Sequence, residues 1–445
     1  MSIYDLIGNR CRLMRKFRIV ATIALCLMLA GCGGFPGATN TPPAATPEPA
    51  TTAPAATPAP TPTAAPTPTP APTPEPTPTP APEEANIMAV GDIMFHNPII
   101  VSADKMVKDG YDFTYCFQYV KDILSGADLA LGNFECTLVK SAKEISLPNS
   151  KSFGAPFEAA DALKWAGFDI LSTANNHCND RGRDNVILTA QVMAEKGIMP
   201  IGTRAAVGDK PYGIKDVNGI KIGFTAFTFN SRNGDLVNTY STSSVSGTVK
   251  KISDLTVQMR AEGAEAVVVF IHWGAEYQRT PNSFQKKVAQ GLADAGVDII
   301  FGSHPHWMQT VDVLTGAKTG KKTLVAYSLG NFISNQRSEY SKTNQWKYSE
   351  DAIILSAKLV RQPDGAVAFA GAQYLPTWTF LWTKSGQRYY TVVPLEKAIA
   401  SPADFGMNSN PKGSDMKKAN LSLMHTQDLL ADAVSRGILT PMTLD

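Results

Sequence analysis

The sequence predicts an α/β protein carried behind an export signal and a proline-rich stalk. Three observations lead there. Short apolar runs recur between residues 87 and 328, and each ends in glycine or polar residues, as strands buried on both faces do. Stretches of helical period lie between several of them. Eighteen of the 31 prolines fall between Pro36 and Pro82, where no core can form.

The chain opens with Arg10, Arg12, Arg15, Lys16 and Arg18, followed by the apolar run from Ile19 to Leu29. That run is short for a bilayer span and suits the hydrophobic region of a signal peptide. It ends in Leu29-Ala30-Gly31-Cys32, which resembles a bacterial lipobox, with cleavage before Cys32 and acylation of its sulfur. More than one acyl chain anchors firmly where a single one does not. Residues 1–31 are therefore expected to be a lipoprotein signal peptide, with Cys32 as the lipidation site. The mature protein is expected outside the cytoplasm, anchored to the bacterial cell membrane.

Residues 32–85 repeat Thr-Pro, Ala-Pro and Glu-Pro. Proline fixes φ, removes a donor and holds its neighbour extended, so this linker is expected to be polyproline-II-like. At about 3.1 Å per residue it reaches on the order of 140 Å, enough to hold the folded part away from the membrane. The whole chain has a formal charge of +2, and the first 31 residues carry +4 of it, which leaves the rest at −2. That balance excludes reading the chain as a nucleic-acid binder. Of six cysteines, Cys11 and Cys26 lie in the signal and Cys32 is the acylation site. Cys116, Cys136 and Cys178 remain, an odd number and no disulfide scaffold.

Residues 86–395 form the expected folded domain and 396–445 a helical extension. Strands are predicted at Ile87–Val90, Asp128–Leu131, Phe168–Leu171, Ala266–Ile271, Val297–Phe301 and Leu324–Ser328. Helices are predicted at Glu158–Ala166, Asn185–Lys196, Val249–Ala261 and Ser283–Ala295, with a last one at Ala419–Arg436. Asn218-Gly219 joins Tyr212–Val217 to Ile220–Thr228 as a hairpin, and Pro363-Asp364-Gly365 joins Ile353–Arg361 to Ala366–Gly371.

The polar residues gather at one edge. Five of six histidines (His96, His177, His272, His304, His306) lie at or just past the carboxyl end of a predicted strand. Ligands of open α/β sheets bind at that end. Asp92, Asn133, Glu135, Asn175 and Asn176 lie there too. Imidazoles, carboxylates and amide oxygens suit a borderline or hard divalent cation. Supplied one or two per strand end, they point to a centre of one or two metal ions assembled across the sheet. His304-Pro305-His306 is expected to present two imidazoles on one side of an extended segment.

Six ordered motifs sharpen this: Gly91-Asp92-Ile-Met, Asn133-Phe-Glu135, Ala174-Asn-Asn-His177, His272-Trp-Gly-Ala-Glu276-Tyr, Gly302-Ser-His-Pro-His306 and Tyr327-Ser-Leu-Gly-Asn-Phe332. They resemble the CapA family of poly-γ-glutamate capsule synthesis proteins, within the calcineurin-like metallophosphoesterase superfamily. The resemblance implies a four-layer α/β/β/α sandwich. It implies that Asp92 and His306 bind a first metal, that Asn176, His272 and His304 bind a second, and that Glu135 is the shared or second-motif carboxylate. It makes His177 the general acid. The metal would be Mn, Fe or Zn. Active phosphoesterases usually carry Asp-x-His in the first motif, whereas here Met94 occupies the histidine position and His96 follows two residues later. Asn133 stands where the bridging aspartate of the superfamily is expected. His96, Asn133 and Asn175 are thus candidates for the metal or its surroundings. Arg181, Arg183 and Arg279 follow motif residues and could hold anionic oxygens, and Glu276 and Tyr277 could line the pocket.

Three functions are compatible with these residues. The first is an exported, lipid-anchored protein for synthesis, anchoring or release of an anionic capsule polymer, using a hydrolase-type metal site beside a membrane-bound polymer synthase. The second is a general extracytoplasmic phosphoesterase on envelope phosphates. The third is a non-catalytic scaffold for a synthase complex.

Overall fold

The computed structural model describes residues 83–229 and 231–444. The signal peptide, Cys32 and nearly all of the proline-rich linker lie outside the described residues. In chain order the elements run β1 (Glu84–Ile93), α1 (Asn97–Asp104), α2 (Lys121–Ser125), β2 (Leu129–Phe134), α3 (Glu158–Trp165), β3 (Ile170–Ser172), α4 (Arg183–Glu195), β4 (Met199–Ile201), β5 (Gly213–Val217) and β6 (Ile220–Phe229). Next come β7 (Thr239–Tyr240), α5 (Val245–Ala261), β8 (Ala266–His272), α6 (Ser283–Asp294), β9 (Ile299–Ser303), β10 (Val311–Thr315), β11 (Lys322–Ala326) and β12 (Asn331–Ile333). The chain ends with β13 (Asp351–Arg361), β14 (Val367–Lys384), β15 (Gln387–Pro394), α7 (Leu395–Ala400), α8 (Ser414–Ser435) and β16 (Leu439–Pro441).

These strands make two sheets. The first has the order β15-β14-β13-β1-β2-β3-β4, with β12 beside β1 and β16 beside β14. The second has the order β10-β11-β9-β8-β6-β5, with β7 beside β6. Between the sheets lies one apolar layer, where Ile87, Leu129 and Leu355 meet Phe224, Phe270 and Phe301. The outer face of the first sheet is covered by α1 to α4 through Ile99, Leu124, Leu163 and Met193. The outer face of the second is covered by α5 and α6 through Ile252, Met259, Val288 and Leu292. The architecture is a four-layer α/β/β/α sandwich.

The central strands are parallel (β1 with β2, β2 with β3, β6 with β8, β8 with β9), so their carboxyl ends share an edge. Register does the positioning. Asp92 lies opposite Asn133 and Asn331, Asn133 opposite Ser172, and His272 opposite Ser303. Asp92 and Asn133 lie inside their strands rather than beyond them, because β1 and β2 run farther than their apolar cores suggest. Gly91 permits this for β1. A Cβ there would stand 1.8 Å from the Gly330 carbonyl oxygen, while the Asp92 N–H donates to that oxygen at 2.9 Å.

Several bounds differ from the expected ones for local reasons. Helix α5 starts at Val245 because the Ser244 hydroxyl accepts from the Gly247 N–H and caps it. Helix α6 starts as expected, at a capping box between Asn282 and Gln285. The strand expected to end at Gly371 continues to Lys384 and turns back into β15. The last helix begins at Ser414, and β16 beyond it pairs in parallel with β14. Residues 395–441 thus pack onto the first sheet, with Leu395, Ala398 and Ala419 against Trp378 and Phe380. Cys116, Cys136 and Cys178 are free and buried.

Candidate metal centre

The carboxyl ends of β1, β2, β8 and β9 bring two groups of ligand atoms together. Asp92, Glu135 and His306 offer atoms within 4.8 Å of one another, and so do Glu135, His272 and His304. All five residues are buried, and Glu135 belongs to both groups. Asp92 and His306 fall in the first group, and His272 and His304 in the second. Asn176 joins the second group, its Oδ1 lying 2.9 Å from His272 Nε2.

Glu135 is the pivot. Its Oε1 is buried and has no hydrogen-bond partner. Three imidazole nitrogens face it: His272 Nε2 at 3.6 Å, His306 Nε2 at 4.0 Å and His177 Nε2 at 4.0 Å. An unpaired buried carboxylate oxygen is costly to leave bare. A divalent cation among these nitrogens and oxygens would satisfy it, so the residues present fit a metal ion. Its identity does not follow from this donor set.

The neighbours orient the ligands. The Asn331 amide donates to Ser334 Oγ, Gln336 Oε1 and the Ser349 carbonyl, which turns its Oδ1 towards His306 Nδ1 at 3.0 Å. His306 Nδ1 therefore carries the proton and its Nε2 lone pair is free for a cation. Asn133 donates to Asp92 Oδ1 at 2.9 Å and reaches Glu135 Oε2 at 3.4 Å and His272 Nδ1 at 3.3 Å. Asn175 donates to Asn133 Oδ1 and to the Phe134 carbonyl, and accepts the His177 N–H. Asn133 and Asn175 thus brace the ligands. His96 is outside both ligand groups. Its ring meets Phe153 edge-on at 4.5 Å, and Phe153 packs on His177 at 4.2 Å.

The His304-Pro305-His306 segment is not extended. His304 has φ of 96° and His306 of 57°, in the left-handed region that side chains avoid. Gly302 lets the turn sit close: a Cβ there would meet the Tyr327 carbonyl oxygen at 2.2 Å. The two rings end 6.0 Å apart, one in each ligand group.

His177 stands beside the groups. Its Nδ1 donates to Asp180 Oδ2 at 2.7 Å, which leaves Nε2 facing Glu135. Asp180 went unnoticed in the sequence, although its place three residues after His177 was a signal. Phe229 was likewise unforeseen: its ring lies 4.9 Å from His304 and 6.2 Å from His272. Arg181 is committed to the Glu144 and Ser152 carbonyls and the Ser152 hydroxyl. Arg183 is committed to Asp235 in a bidentate pair. Both guanidinium groups are thereby taken up by protein oxygens. Glu276 is exposed. Tyr277 lies against His306, ring centroids 5.7 Å apart.

Charge in this pocket is displaced from its ordinary state. Burial first, then the Asp92 carboxylate, raises the Glu135 carboxyl well above its usual value. Burial, with the neighbouring imidazoles behind it, pushes His272 well down and His304 down to about 3. A cation and a proton therefore compete at Glu135, and only below its raised value does the carboxyl hold a proton to displace. Cation affinity is expected to climb with pH up to that value and to level off above it. Competition titrations between pH 4 and 9 check this. Affinity that does not rise with pH anywhere in this range would contradict it.

Comparison with known proteins places this chain among relatives. A family model described as "Bacterial capsule synthesis protein PGA_cap" matches residues 86–336. The PGA biosynthesis protein CapA of Bacillus subtilis is 30% identical over 287 residues, which is 62% of this chain and 68% of that protein. The capsule biosynthesis protein CapA of Bacillus anthracis is 31% identical over 264 residues, 57% of this chain and 61% of that one. Among solved structures, the calcineurin-like phosphoesterase YfkN of Bacillus subtilis aligns at 15% identity with a TM-score of 0.37, over 80% of this chain and 100% of that chain.

Proposed function

The chain belongs to the bacterial capsule synthesis protein family PGA_cap, and on that premise we propose that it is an exported, lipid-anchored protein acting in the synthesis, anchoring or release of an anionic capsule polymer of poly-γ-glutamate type. Its tool is a hydrolase-type centre of one or two divalent cations. The observation that carries this reading is Glu135 Oε1, buried, unpaired and shared by two ligand groups.

Cations bound there would polarise a substrate oxygen and lower the pKa of water, the chemistry that both phosphoryl and amide hydrolysis draw on. The chain's own residues do the rest. Asp92, Glu135 and His306 would hold one cation, and Glu135, His272 and His304, with Asn176 beside them, would hold a second. Asp180 fixes the His177 ring through Nδ1, and it is the doubly protonated ring whose Nε2 would carry a proton to give to the leaving group. Phe153 and Phe229 cover the imidazoles and exclude water. Poly-γ-glutamate carries amide links and no phosphate, so the relevant action is attack at a carbonyl with a tetrahedral oxyanion to stabilise.

The test is an assay of the purified chain, supplied with Mn²⁺, Fe²⁺ or Zn²⁺, for new amino termini released from poly-γ-glutamate and for turnover of an aryl phosphate. Metal-dependent release of amino termini is the expected result. Turnover of the aryl phosphate alone would replace this reading with a general phosphoesterase, and turnover of neither would make the chain a scaffold.

A further inference from the structure

Beside the ligand groups the chain builds an aromatic wall that ends in two cations. Tyr277, packed on His306, also meets Trp307 at 6.1 Å, and Trp307 meets Tyr348 edge-on at 4.8 Å. Trp346 donates its indole N–H to the Tyr277 hydroxyl at 3.3 Å. At the far end the Arg279 guanidinium lies 4.3 Å from the Tyr348 ring centroid and the Lys347 ammonium 4.8 Å from it.

Arg183, Arg260 and Arg337 each hold a carboxylate. Among the described residues Arg279 and Lys347 form no ion pair. Arg279 donates to the His425 carbonyl at 2.6 Å. The acid it influences, Asp351, is buried and already bonded to His425 Nδ1. Two positive charges against one ring, both also bonded to the Tyr348 side chain, repel each other, and a bound anion would relieve them.

The wall is also built in advance. Arg337, fully buried, is held by Glu350 at 2.9 Å and by the Thr379 carbonyl at 2.6 Å, which fastens the 337–350 loop to β14. Glu339 in that loop takes Lys418 from α8, and Tyr348 packs on His425 of the same helix at 4.6 Å. Little ordering cost is left for a ligand to meet.

We propose that this wall is a subsite for a carboxylate of a chain substrate, gripped by Arg279 and Lys347 while a bond nearer His306 is the one acted on. Three aromatic rings, Tyr277, Trp307 and Tyr348, run from His306 to the cation pair, so an anion held there belongs to a molecule longer than a single phosphate or a single residue. The backbone of such an oligomer would lie along Tyr277 and Trp307, and its repeated carboxylates would reach the cations. The inference rests on the polymer reading given above and names the part of the site that selects the polymer.

Calorimetric titration of the full chain tests it, with a γ-linked glutamate oligomer of about ten residues, a γ-glutamyl dimer and inorganic phosphate as probes. Lys347→Glu is the informative variant, because Lys347 is exposed and its loss cannot unfold the chain. Arg279→Gln is the second. Each is expected to weaken the long oligomer at least about tenfold, the worth of one charge-assisted hydrogen bond, while the dimer and phosphate bind weakly and alike in all forms. Unchanged oligomer affinity in Lys347→Glu would overturn the subsite, as would wild-type chain that binds phosphate as tightly as the oligomer. Metal content is measured on the same samples. Metal retained without oligomer binding defeats the subsite alone, and oligomer binding without metal defeats the catalytic reading alone.

Discussion

Glu135→Gln is expected to empty both halves of the centre and to remove turnover. The side chain is fully buried, and its Oε1 is the one atom that three imidazole nitrogens face. Glutamine keeps the volume, so the fold stands. It removes the negative charge that a cation would bind and, in one orientation, places an N–H2 among the imidazoles instead. Losing a residue that only braces a ligand costs about 10–100-fold in metal affinity or activity. Losing the shared ligand should exceed that range in both. Elemental analysis and steady-state rates measured side by side check it. A variant that kept its metal and its rate would mean that Asp92, His272, His304 and His306 suffice alone.

His177→Ala is expected to separate metal binding from chemistry. His177 belongs to neither ligand group, yet its Nε2 comes within 4.0 Å of Glu135. Loss of a positioned general acid costs about 10²–10⁴-fold in rate. The expected result is a fall in kcat of that size with metal content unchanged. Asp180→Asn should fall in the same direction by less, since Asp180 acts only through the ring it holds. Metal lost in His177→Ala would instead make His177 a ligand.

Much of this was legible in the sequence, because the same physical rule writes both the strand and its end. A strand buried on both faces reads as an apolar run, and polar residues can follow only where the sheet meets solvent or a site. Asp92, Glu135, His272, His304 and His306 could therefore be assigned to one edge before any geometry was known. The left-handed backbone at His304 and His306 could not, since it goes with Gly302 fitting against the Tyr327 carbonyl, just past β11. The long β14–β15 hairpin carried a signal that was passed over. Ser385 and Gly386 both have positive φ, at 50° and 77°, and Ser-Gly is a two-residue turn of the kind that joins twisted strands. The role of Asn133 was also hidden. A neutral amide at the bridging position says nothing of its partners, whereas its N–H groups tie Asp92, Glu135 and His272 together. Among the three candidate arginines, spacing could not tell which had a carboxylate waiting for it across the fold. Asp235 lies 52 residues from Arg183, and no such partner meets Arg279 among the described residues.

The most direct test of the centre is metal stoichiometry. The purified chain, loaded in turn with Mn²⁺, Fe²⁺ and Zn²⁺ and then desalted, is analysed for bound metal beside His304→Ala. The account predicts close to two equivalents of at least one metal, with about one lost in the variant, because His304 serves only the second ligand group. No retained metal in the wild-type chain under any of the three loadings would contradict it, and Glu135 would then be a buried acid held by neighbours rather than by a cation.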